Sequence, residues 1–260
     1  MAPADPGAPG TADGIRESVE LIGTDDGPMK TLVTQPADEG PHHAVVMVQH
    51  IGGLSETMRI VARQVAKHGY RCVLPSLYHR LGEIVIDPTG GGQAVEEIRR
   101  IAVASVTPMT LMTDVDAVLA WLDDQPDAHV GGRAIIGFGG GASLAFLAAA
   151  VRPKIFRALI SILGVRFIRP DEPWSPHLLV DQLSASAYFG FASEDEIIPL
   201  SDVERLRGVL DTAGIDHEIQ VHPGVRHGYF FSDRDSYSAS AAQEDWIRIR
   251  TLLDRKLEAG

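Results

Sequence analysis

The sequence predicts an α/β fold, a mostly parallel, doubly wound sheet with helices on both faces. Three observations predict it. Short β-rich runs alternate along the chain with segments whose apolar residues recur at helical spacing. Several of the strand-like runs are apolar almost throughout, AVVMVQ at 44–49 and AIIGF at 134–138 among them, which is the pattern of strands covered on both sides. No internal repeat period is visible across the 260 residues.

The elements follow in order. Residues 1–14, built from Ala, Pro, Gly and Asp with no basic start and no apolar run, are expected to be a disordered lead-in rather than a signal peptide. Residues 29–35 and 44–49 read as strands. Residues 56–68 read as a helix ended by Gly69, and 71–74 as a strand stopped by Pro75. Between Gly82 and Ser105 the pattern is weak. There Asp87-Pro88-Thr89-Gly90-Gly91-Gly92 forms a turn-rich loop of the kind that borders pockets. Residues 111–122 are helical by spacing, 134–138 a buried strand, 141–151 an apolar helix and 158–163 a strand. Then come a strand at 187–192, a helix at 200–213, a strand at 217–221 and a closing helix at 241–257. No interdomain linker interrupts them, so 15–260 is read as one domain.

Composition narrows the function classes. A hydrophobic share of 45% supports a substantial core. The formal net charge of −12 repels phosphate backbones and anionic lipid, which argues against nucleic-acid and membrane partners. A lone cysteine, Cys72, cannot form an internal disulfide and fits a reducing compartment. The longest apolar stretch, around 144–151, is too short to span a bilayer. The expectation is a soluble cytoplasmic protein that handles a small-molecule substrate or ligand, with a homodimer left open.

Chemistry concentrates at Gly137-Phe138-Gly139-Gly140-Gly141-Ala142, which follows a strand and opens a helix. Three readings fit. A nucleophile elbow, Gly-x-Nuc-x-Gly, places its central residue in a strained turn, with Gly137 and Gly141 allowing strand and helix to approach. A dinucleotide fingerprint would use Gly137, Gly139 and Ala142. The third reading is a tight strand-to-helix turn that merely needs glycine. The dinucleotide reading wants an acid at the end of the next strand, yet none occurs until Asp171, and the segment lies late in the chain. It is kept as a minor alternative.

An elbow also needs an acid downstream and then a histidine. Asp195 lies in Gly190-Phe191-Ala192-Ser193-Glu194-Asp195 after a strand, and His227 lies in Gly224-Val225-Arg226-His227-Gly228-Tyr229 after another. Taken alone, Asp195 reads as a cap for the helix near Pro199, and His227 as a loop histidine. The order elbow, acid, histidine, each after a strand, is what raises them to candidates.

On these residues the chain resembles the dienelactone hydrolase family from about Glu17 to the last helix. Gly53, Arg59 and Gly69-Tyr70 resemble its first glycine loop and helix. Pro75-Ser76-Leu77-Tyr78-His79-Arg80 resembles its Pro-Asp-Leu-Tyr-x-Arg. Asp195 with Pro199 matches Asp-x-x-x-Pro, and His227-Gly228-Tyr229 matches His-Gly-Phe. Arg234, Tyr237, Ala241, Ala242 and Trp246 follow its C-terminal pattern. The resemblance implies an α/β-hydrolase fold and hydrolysis of enol-lactones and related esters. It also implies a cysteine or serine nucleophile, an Asp–His pair at Asp195 and His227, and an oxyanion hole from the N–H groups of Ile51 and Gly140. Arg80, with Tyr78 beside it, matches the substrate-binding segment; for Arg80 a structural ion pair is the even alternative.

Three departures stand out. Glycine, Gly139, occupies the nucleophile position. The family's glutamate that controls cysteine ionisation aligns with His50, and the Asp of Pro-Asp-Leu-Tyr is Ser76. Loss of nucleophile and glutamate together is coherent, because the glutamate serves the thiol. Substitute nucleophiles are unconvincing: Ser143 belongs to the helix, Cys72 to a buried strand, and Ser55 to a helix cap. Two readings remain. In one, His227 with Asp195 acts as a general base without covalent catalysis, His50 is a second acid/base, and the reaction is direct hydrolysis or a lyase, isomerase or cyclase step. In the other, the protein is a non-catalytic ligand-binding homologue. No cofactor is expected. No metal is expected either, since His42, His43, His50, His222 and His227 show no ligand spacing.

Overall fold

A computed structural model describes residues 10–12, 14–87, 90–129 and 131–258. Most elements lie where apolar spacing puts them, but two strands and a helix precede or interrupt the expected series. The chain contacts divide into two compact units, residues 48–51 with 131 onward forming the second.

The first unit holds β1 (Gly10–Ala12), β2 (Ile15–Thr24), β3 (Gly27–Pro36), β4 (Ala44–Val48, its last residue grouped with the second unit) and β5 (Arg71–Pro75), in spatial order β1-β2-β3-β5-β4. β1, β2 and β3 form an antiparallel meander, β3 runs antiparallel to β5, and β4 and β5 are parallel. This meander departs from the expected parallel pattern. Of the expected lead-in, residues 1–9 and 13 lie outside the described residues, whereas Gly10–Ala12 pairs with Ile15–Glu17. Strand pairing uses backbone groups, so a Gly-Thr-Ala stretch can join an edge without an apolar signal. The β2–β3 hairpin turns on Asp25-Asp26, with Thr24 opposite Gly27 and the Thr24 hydroxyl donating to the Gly27 carbonyl at 2.7 Å.

Three helices complete this unit. α1 (Glu56–Lys67) is capped by Ser55, whose hydroxyl accepts from the Met58 N–H, and buries Met58, Val61, Ala62, Val65 and Ala66 at i, i+3, i+4 spacing against β3 and β5. α2 (Gln93–Ser105) occupies the stretch of weak pattern and buries only Ala102. α3 (Pro108–Asp123) starts from a Thr107–Thr110 capping box with Pro108 in its first turn. Pro88 and Thr89 of the glycine-rich loop lie outside the described residues.

The second unit holds β6 (Arg133–Phe138), β7 (Phe156–Ile162), β8 (Ser186–Glu194) and β9 (His217–Arg226), adjacent in that order and all parallel. α4 (Gly140–Val151) packs on β6 and β7, and its Ala145 to Ala150 run is buried. α5 (Leu200–Thr212) joins β8 to β9, and α6 (Ala239–Leu253) packs on β7 and β8. Strands with helices on both sides make this an α/β-hydrolase fold. No single helix among the described residues is long and apolar enough to cross a membrane.

Candidate active site

Parallel strands bring their carboxyl ends to one edge, the place where α/β sheets bind ligands. In the second unit the register aligns Phe138 with Ile162, Ile162 with Gly190 and Gly190 with Gln220. Gly139, Asp195 and His227 each follow one of these strands at that edge, so three residues far apart in sequence emerge on the same side.

Gly139 forms the whole connection between β6 and α4 and has φ 55°, ψ −120°. Its N–H donates to the Ile162 carbonyl at 3.0 Å, and its carbonyl accepts from Ala142 and Val165, each at 3.2 Å. The flanking glycines are sterically required. A Cβ on Gly137 would be driven into the Gly141 carbonyl, and one on Gly141 into the carbonyl oxygens of Gln49 and Val48. Around a Cβ on Gly139 there is nothing within 4 Å. The turn therefore has the tight approach of an elbow, with open space at its centre. The dinucleotide reading of the same glycines finds no acidic side chain at the end of β7, which continues Leu163-Gly164-Val165.

A ladder irregularity sets the acid–histidine pair. Ala192 lies opposite His222, but Glu194 lies opposite Arg226, so two steps on β8 face four on β9. The extra residues bulge at Pro223-Gly224-Val225. Gly224 takes φ 68°, and its N–H donates to the Ser193 hydroxyl at 2.8 Å. The next residues on each strand are then side by side, and His227 Nδ1 lies 2.8 Å from Asp195 Oδ2. The other carboxylate oxygen accepts from the N–H groups of Ile197 and Ile198 at 2.8 and 2.9 Å. Asp195 thus does both things its sequence suggests, shaping the approach to α5 with one oxygen and holding the imidazole with the other. Its side chain is 1% exposed and that of His227 is 30%, so the acid is sealed while the ring can be reached. Gly228 follows with φ 88°, in a position where a Cβ would stand 2.8 Å from the Ser236 hydroxyl.

His50 is buried after β4, with its ring edge-on to Phe231 at 5.6 Å. Burial pushes its pKa down to about 4; its backbone hydrogen bond and Asp233 oppose that, and Arg234 adds to it. At neutral pH its ring is neutral, so it can serve as a hydrogen-bonding group or weak base but not as an imidazolium acid. Ile51 follows His50 directly, and the contact between the 48–49 carbonyls and Gly141 places this segment against the start of α4. Gly140 is the first residue of α4, where N–H groups have no intrahelical acceptor.

Arg80 and Tyr78 belong to the first unit. The Arg80 guanidinium makes a two-pronged bond to Asp114, at 2.9 and 2.8 Å, and a third to Asp26 at 2.6 Å. His79 reaches the same buried Asp114 at 3.1 Å. These carboxylates hold the guanidinium as the ion-pair alternative describes. Tyr78 is buried with Ile86 and Ala102, and a Cβ on Gly53 would meet its ring at 3.2 Å.

The rejected nucleophiles sit as expected. The Ser143 hydroxyl donates to the Gly140 carbonyl at 2.9 Å, Ser55 caps α1, and Cys72 is fully buried with its thiol pKa raised by that burial. Among the remaining histidines, His42 pairs with Asp38 at 3.3 Å and His43 stacks on His129 at 3.8 Å. Among the described residues no group of three His, Cys, Asp or Glu side chains converges as a metal site.

Two features escaped the sequence reading. Leu163 and Arg166 adopt φ 53° and 66°, strained values for residues with a Cβ, on either side of Val165, which bonds the elbow carbonyl. Asp245 is fully buried on α6 and accepts hydrogen bonds from Tyr188, Tyr229 and His222. Its signal was an acid within the apolar stripe Ala241, Ala242, Ile249, Leu252.

Comparison with known proteins shows the family. A profile described as "Dienelactone hydrolase family" matches residues 29–257. A Synechocystis protein named "Putative carboxymethylenebutenolidase" is 27% identical over 87% of this chain and 91% of its own length. A Yersinia pestis protein of the same name is 30% identical over 81% of this chain and 77% of its own. The crystal structure of a "Putative Dienelactone Hydrolase" from Klebsiella pneumoniae superposes with a TM-score of 0.83 at 26% identity, covering 94% of this chain and all of the other. Since the profile spans nearly all the described elements and these relatives match over most of their length, the chain belongs to the dienelactone hydrolase family.

Proposed function

We propose that this dienelactone-hydrolase-like protein hydrolyses lactone- or ester-type small molecules by general-base catalysis, without a covalent intermediate. The observation that carries the reading is the 2.8 Å pair of His227 and the buried Asp195 in a chain whose elbow has glycine at its centre. Asp195 accepts from Nδ1–H, which leaves Nε2 as the base. Water adds to the carbonyl carbon and gives its proton to Nε2. The tetrahedral oxyanion would be met by the N–H groups of Gly140 and Ile51, and a neutral His50 could add a hydrogen bond. The acyl C–O bond then breaks, and the proton on Nε2 passes to the leaving oxygen. The relatives named as carboxymethylenebutenolidases support lactones as the substrate class. A proton transfer through an enolate, as in a lyase, isomerase or cyclase step, would use the same groups.

The test is turnover of an enol-lactone and activated-ester panel by the parent and His227→Ala proteins. General-base catalysis predicts a loss of roughly 10²- to 10⁴-fold. Equal turnover in the two proteins would replace the enzyme by the second reading, a ligand-binding homologue.

A further inference from the structure

We infer that Asp245 is a positioning residue that fixes the turn carrying His227 by gripping it on both sides. This rests on the reading of His227 as the base. Asp245 is 0% exposed on α6, and all its described partners are side chains of the β8–β9 region. Oδ1 accepts from the Tyr188 hydroxyl at 2.5 Å and from His222 Nε2 at 2.6 Å, and Oδ2 accepts from the Tyr229 hydroxyl at 2.6 Å. His222 comes just before the Pro223–Val225 bulge, and Tyr229 two residues after His227. One carboxylate therefore ties down both ends of the segment whose extra residues bring His227 to Asp195.

Other contacts make the arrangement specific. The rings of His222 and Tyr229 lie 5.0 Å apart. A Cβ on Gly190 would stand 2.8 Å from the Tyr229 hydroxyl and 3.1 Å from Asp245 Oδ1, so glycine on β8 is what admits the pair. The turn is also held by backbone, with Tyr229 N–H bonding the Arg226 carbonyl at 3.2 Å and Ser238 N–H the Tyr229 carbonyl at 2.9 Å. Both tyrosine pKa values are raised, chiefly by burial and then by the Asp245 charge, so both hydroxyls remain protonated donors. A buried carboxylate with this many charge-assisted bonds holds its partners closely.

The two tyrosines supply an internal control. Each gives Asp245 one bond, but only Tyr229 belongs to the His227 turn. The experiment follows the His227 Nδ1–H resonance by NMR in the full chain and measures its exchange with water in Tyr229→Phe and Tyr188→Phe, with melting temperatures recorded for both. The expected result is exchange about tenfold faster in Tyr229→Phe, the change from one lost charge-assisted hydrogen bond, and less than about twofold faster in Tyr188→Phe. Equal changes in the two variants, or none in Tyr229→Phe, would overturn the inference. If Tyr229→Phe does not fold, Asp245→Asn against Tyr188→Phe reads the same signal with the same criterion. The readout is independent of turnover, so failure of the general-base reading and failure of this one are separable.

Discussion

The elbow and the acid–histidine loops lie at the same edge of parallel strands, yet they are built differently. At the elbow the backbone carries the constraint: Gly137 and Gly141 have no room for a Cβ, while Gly139 between them has open space and no functional group. At the loops the side chains carry it: Asp195 uses both oxygens, and His227 is held by one of them. The difference teaches that the shape of a nucleophile turn is set by its neighbours rather than by the nucleophile. A chain can hold this turn and the Asp195–His227 pair with glycine at the turn's centre.

The largest expected effect comes from supplying that atom. Gly139→Cys places a thiol in the open space and should raise activated-ester turnover on the order of 10³-fold, part of the roughly million-fold that nucleophile loss costs a triad hydrolase. A pre-steady-state burst and an acyl adduct in the intact mass would accompany it. A folded mutant with neither would separate elbow and pair into unrelated features.

Next is the steric contrast. Gly141→Ala should cost about 3 kcal/mol, because its methyl meets backbone carbonyls that cannot rotate away. Gly139→Ala should cost only about 1–2 kcal/mol, from φ 55° alone. Urea midpoints measure both, and similar losses would mean that the neighbours do not define the turn.

A comparable but pH-limited effect concerns His50. Its pKa of about 4 in the fold lies below the ordinary 6.5. Between those values the unfolded chain binds a proton that the folded chain does not, so stability falls as pH drops from about 6.5 towards 4, by up to about 3 kcal/mol. His43, lowered by burial and by His129, acts in the same direction. His50→Gln should flatten the acid limb of a stability–pH curve. Parallel curves for parent and variant would show that His50 does not titrate as its burial requires.

Legibility in the sequence followed the physics of each element. Strands β4 and β6 and helices α1 and α4 were readable because burial on one or both faces writes an apolar pattern. Strand β2 was not, since its side chains are mostly half-buried and write no apolar alternation. Helix α2 was not, because Ile98, Ile101 and Val103 remain exposed and only Ala102 is buried. Within the site, Asp195, His227 and the glycines were legible through order and motif. The commitment of Arg80 was not, because Asp26 and Asp114 lie far from it in sequence.

The sequence by itself determined the parallel α/β core, the three-glycine turn and the placing of Asp195 and His227 after successive strands, since these depend on local spacing and residue type. Tertiary structure alone decided that a bulge after His222 sets Arg226 opposite Glu194, that Asp245 ties the histidine turn, and that Arg80 is occupied. Those facts depend on register and on contacts between distant residues, which a linear pattern of side chains does not encode.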